Sequence, residues 1–144
     1  MQHPQERESL LASLRYLEMS VITPLEIVAD VEPADVAEIL YEMAEDHQRH
    51  QAELELLLGD TDHRVVELPE TFREQVAYRV KAAEQTQDED EALRELIGVE
   101  RFGAARYEEA IRSGVLDDQR TLLARHLEDE RRHERYLRER VRGA

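Results

Sequence analysis

The chain has 144 residues, 34 acidic and 19 basic, a formal charge of −15, and neither cysteine nor tryptophan. That length suits a single domain over residues 1–144, with a core that needs no covalent staples. The missing cysteines exclude disulfides, thiolate-ligated zinc or iron–sulfur sites and thiol catalysis, and the acid surplus argues against nucleic acid as a partner. The opening MQHPQERESL lacks a basic stretch followed by an apolar one, and no run of 18 apolar residues occurs anywhere. No signal peptide and no membrane span are therefore expected, and the expected location is cytoplasmic.

Ala, Leu, Glu and Arg dominate and no stretch alternates at period two, so the chain reads as all-α. The first helix is expected from about Gln5 to Asp30, with Pro24 inside it predicting a kink or a restart. Thr23-Pro24-Leu25-Glu26 has the form of a capping box, which favours the restart. After the turn Asp30-Val31-Glu32-Pro33, a second helix runs from about Pro33 to Leu58, and Gly59 closes it. Residues 60–69 carry no helical period and read as extended. A short helix from Pro69 to about Gln85 follows. Thr86-Gln87-Asp88-Glu89 then resembles a second capping box, with acids suited to the positive end of a helix. The next helix reaches Ser113 before Gly114, and the last spans about Leu116 to Arg142. Four long helices with one long crossover that carries its own helix make a four-helix bundle.

An internal repeat organises the bundle. Residues 45–54 (EDHQRHQAEL) and 128–137 (EDERRHERYL) share Glu45/Glu128, Asp46/Asp129, Arg49/Arg132, His50/His133 and Leu54/Leu137. The two halves read as related helical hairpins. On the second helix Leu40, Met43, His47, His50, Leu54 and Leu57 form one seam. Glu18 interrupts the seam Leu14, Val21, Leu25, Val28 of the first helix. Glu100 interrupts Leu93, Ile97, Ala104, Tyr107, Ile111, and Glu130 and His133 interrupt Leu123, Leu127, Leu137, Val141. Glu18, His47, Glu100 and Glu130 each lie about 15 residues from their hairpin turn, hence roughly 22 Å along the helix. If the crossover stacks the hairpins in register, the inward residues fall in one layer. Buried carboxylates cost several kcal/mol unless paired or bound to metal. Two divalent cations would satisfy three carboxylates and three imidazoles more completely than the residues satisfy one another.

These residues resemble the ferritin-like superfamily, and within it the small rubrerythrin-related di-iron carboxylate bundles. That pattern places a Glu on the first and third long helices and Glu-x-x-His on the second and fourth. Glu18, Glu100 and Glu130-Arg131-Arg132-His133 match it, and RFGAARYEEA is similar to the family's third helix. His50 matches as well. His47 stands where the bridging Glu is expected, and matches by position only. An imidazole does not bridge two ions as a carboxylate does, so the departure predicts an asymmetric site. Asp46 and Glu53 are the acids placed to compensate. The resemblance implies two iron ions per chain, with manganese or zinc as other fits for mixed His/carboxylate ligation. Glu18 and Glu100 would be terminal ligands, Glu130 a bridge, and His50 and His133 the nitrogen ligands.

The implied activity is oxidation of Fe(II) with O2 or peroxide. The alternative left open is a non-enzymatic interaction or metal-buffering protein with a degenerate or metal-free layer. A large storage cage is not expected, because the sequence stops at Ala144 straight after the last helix. A homodimer is expected from apolar residues such as Phe72 and Val76, read as exposed on the crossover. His126 reads as a rim histidine, and His3 and His63 as solvent-facing in a tail and a loop. Tyr41, Tyr107 and Tyr136 read as core packing near the layer, and Met19 and Met43 give no basis for haem.

Overall fold

A computed structural model describes residues 4–59 and 68–143. They form helices α1 (Pro4–Ala29), α2 (Ala34–Leu58), α3 (Glu70–Gln85), α4 (Glu89–Ser113) and α5 (Arg120–Gly143), with a short 3-10 turn at Asp117–Gln119. There is no strand among the described residues. The stretch expected to be extended lies mostly outside them, as do His3 and His63.

Two helix-end expectations need correction. Helix α1 runs through Pro24 without a restart. Val21, Leu25 and Val28 on either side of the proline are buried in one core, and that packing outweighs the one backbone donor lost at Pro24. At α4 the cap is Asp88, whose side chain accepts from Glu91 N–H at 2.9 Å. Thr86 instead donates to the carbonyl of Ala82. The acids Glu89, Asp90 and Glu91 do occupy the first turn. Gly114 ends α4 at φ +75°, a conformation that side chains with a Cβ rarely adopt, with its N–H on the carbonyl of Ile111.

The hairpins α1–α2 and α4–α5 point their turns to opposite ends of the bundle. Arg7 near the start of α1 pairs with Asp118 in the α4–α5 turn at 2.6 Å. At the other end, Glu32 in the α1–α2 turn lies within the field of Glu89 and Asp90 at the start of α4. The polar positions are level because each sits near mid-helix. Apolar packing divides around them. One cluster holds Val28, Val36, Leu40, Leu96 and Leu137, and the other Leu11, Leu14, Leu54, Leu116 and Leu123.

Helix α3 lies against α1 and α4. Phe72 packs between Tyr16 and Phe102, with ring centroids 6.0 and 6.3 Å away, and Val76 is buried. Val76 is thus buried, against the expectation that it is exposed, while Phe72 is half-buried between these two rings. None of the described helices is long and apolar enough to cross a membrane.

Candidate metal centre

The six residues singled out from the sequence come together. Glu18, His47, His50, Glu100, Glu130 and His133 are each no more than 2% exposed. His47 lies at the middle. Its Nδ1 is 2.7 Å from Glu18 Oε2 and its Nε2 is 2.9 Å from Glu100 Oε1. His50 Nδ1 meets the same Glu18 oxygen at 3.1 Å, and His133 Nδ1 meets the same Glu100 oxygen at 3.3 Å. Two donor groups result, Glu18–His47–His50–Glu130 and His47–Glu100–His133, and they share His47.

The outer nitrogens of the two flanking histidines are held in a crossed pattern. His50 Nε2 donates to Asp129 and His133 Nε2 donates to Asp46, each at 2.8 Å and each across to the other hairpin. Arg49 and Arg132 complete a ring: Arg49 bonds Asp46 and Asp129, and Arg132 bonds Asp129 and Asp46. The repeat seen in the sequence is therefore a two-fold arrangement in space. With its outer nitrogen held by a carboxylate, each ring turns Nδ1 inward, the nitrogen that a metal would take.

Burial and charge set the protonation of the layer. Burial alone would raise Glu18, but the facing His47, with hydrogen bonds from His47 and His50, holds it well below the usual carboxylate range. Burial likewise opposes ionisation of Glu100, and His47 and His133 outweigh it, lowering it to about 2. His47 goes the other way: desolvation disfavours its charge, yet Glu100 and Glu18 on its two edges lift it well above an ordinary imidazole. Glu130 is pushed well up, first by burial and then by the charge of Glu18. Without a metal, a protonated His47 stands between the two carboxylates beside a neutral Glu130, and His133 is raised too, by Glu100 against the cost of burial.

This internal pairing is incomplete. Glu100 Oε2 and Glu130 Oε2 are buried without a hydrogen-bond partner among the described residues. Gly103 on α4 also leaves room for the Glu130 carboxylate, since a Cβ there would lie 2.7 Å from Oε2. Orphaned carboxylate oxygens beside inward imidazole nitrogens fit a divalent cation of mixed oxygen and nitrogen preference.

Several surroundings differ from expectation. His126 is buried, not on the rim, and stacks on His50 with centroids 4.0 Å apart. It lies between Tyr107 and Glu53, both at 3.0 Å. Tyr107 in turn reaches Glu18 Oε1 at 3.0 Å, so it is a hydrogen-bonding neighbour of the layer as well as a packing residue. Tyr41 is exposed and bonds Asp30. Asp46 and Glu53 do not join the donor groups; they hold His133 and His126 from outside. The spacing Leu123, His126, Glu130, His133, Leu137 is itself a 3-4-3-4 seam, and it would have placed His126 inside.

Fold and layer together define a helical-bundle protein whose buried histidines and carboxylates converge from two related hairpins. The family model Rubrerythrin matches residues 12–141, and the chain belongs to that family. No curated protein and no solved structure matches it.

Proposed function

We propose that the chain binds iron in this layer and oxidises Fe(II) with dioxygen or peroxide. Glu18, His50, Glu100, Glu130 and His133, with His47, would hold the metal. The observation that carries this reading is the convergence of buried donors around two orphaned carboxylate oxygens. Iron, when bound, supplies the electrons that the oxidant takes. The protein's own part is to compensate charge and exclude water. Glu18 and Glu100 keep their negative charge in the buried layer, which favours the higher oxidation state. The apolar clusters on both sides limit entry to small oxidants.

Fe(II) added in air should be oxidised faster with the protein than in buffer, and Glu130→Ala should lose that advantage. Equal rates for the two proteins would remove the oxidase reading. A second reading, metal buffering without turnover, draws on His47, which occupies the space between Glu18 and Glu100. Bound iron that stays Fe(II) in air would favour it.

A further inference from the structure

We infer, resting on the metal-binding reading above, that the centre is asymmetric: Glu18, His50, Glu130 and Nδ1 of His47 hold one ion, and the Nε2–H of His47, bonded to Glu100, closes the place of a second. A neutral imidazole has one lone pair and one N–H. His47 therefore serves a metal from one edge only, and its other edge donates a hydrogen bond.

The two donor groups are unequal in how much they depend on that ring. Without His47 the first still has Glu18, His50 and Glu130, while the second has only Glu100 and His133. Three protein ligands are the usual set of an open metal site, and the second group falls short of it. Nδ1 of His47 also faces Glu130 Oε1 at 4.0 Å, on the same side as Glu18. The ring then turns its opposite edge to Glu100 Oε1, the oxygen that His133 Nδ1 approaches at 3.3 Å. Both groups are bonded from within, so what separates them is the number of donors each has besides His47.

Shape points the same way. The repeat pairs position 47 with Glu130, whose carboxylate can offer its two oxygens to neighbouring ions. Paired ions in two-metal sites lie about 3.5–4 Å apart. The two nitrogens of an imidazole aim away from each other, so a ring at position 47 does not reproduce that bridge. One residue thus breaks the two-fold symmetry that Asp46/Asp129 and His50/His133 preserve.

The test is anaerobic titration of the full chain with Co(II), whose visible spectrum reports the side chains bound, with elemental counting after dialysis. Wild type should bind one ion per chain and His47→Glu two. Glu18→Gln should weaken the wild-type ion by about tenfold or more, and by more than Glu100→Gln does. Two equivalent ions in wild type overturn the asymmetry and leave the metal reading standing. So does one ion in a folded His47→Glu chain, or an ion that survives Glu18→Gln and is lost in Glu100→Gln. No ion in wild type overturns the metal reading itself. Circular dichroism checks folding, and if His47→Glu does not fold, the Glu18 and Glu100 variants decide.

Discussion

Asp129 on α5 accepts a hydrogen bond from His50 on α2, joining the two hairpins through a 2.8 Å contact. The bond fixes which nitrogen of His50 faces the layer. In Asp129→Ala the ring is unconstrained and its tautomer mixed, so metal affinity should fall roughly 10–100-fold. Asp46→Ala loosens His133 instead, and should cost the tightly held ion less. Competition against a chelator of known affinity measures both.

Gly103→Ala separates stability from binding. Alanine is favoured over glycine in a helix by about 1 kcal/mol. The added Cβ, however, would lie 2.7 Å from Glu130 Oε2, so the carboxylate must move. Metal affinity should drop while the denaturant midpoint changes little or rises. Isothermal titration beside urea unfolding gives the two readings on one preparation.

Tyr107→Phe removes a hydroxyl that serves both Glu18 and His126. Each partner is buried and loses a hydrogen bond without gaining water. The variant should be less stable by about 1–3 kcal/mol, measured by urea unfolding.

A pH effect is expected far from the layer. Glu32 in the α1–α2 turn is raised to about 7 by burial and by the charges of Glu89 and Asp90 on α4 and of its cap Asp88, with Arg140 of α5 opposing. Its Oε2 has no hydrogen-bond partner among the described residues. The folded chain therefore holds this proton more tightly than the unfolded one. Stability from this group is fully present below about pH 4.5 and is lost as pH rises towards 7. Glu32→Gln should melt above wild type at pH 8 and with it near pH 4.5. A series of thermal melts checks the crossing.

Periodicity made the helices and the layer legible, because an inward acid on an apolar stripe is visible without coordinates. Glu18, Glu100 and Glu130 are such cases, and all three are buried. His126 escaped because the stripe of α5 was drawn through Leu127, one residue along, although both are buried. Pro24 misled because local backbone chemistry was weighed without the packing around it. The crossed Asp–His bonds were out of reach for another reason. They run between hairpins, at separations of 79 and 87 residues, and no helical spacing encodes a partner that distant.

The donors are divided between the hairpins: α1 and α2 bring Glu18, His47 and His50, and α4 and α5 bring Glu100, Glu130 and His133. Neither half alone holds a complete set. During synthesis the first hairpin emerges with Glu18, His47 and His50, and Glu130, the fourth donor of that group, joins them only when the second docks against it. Metal loading in such a chain would report assembly, and a molecule whose halves part would give its cargo up.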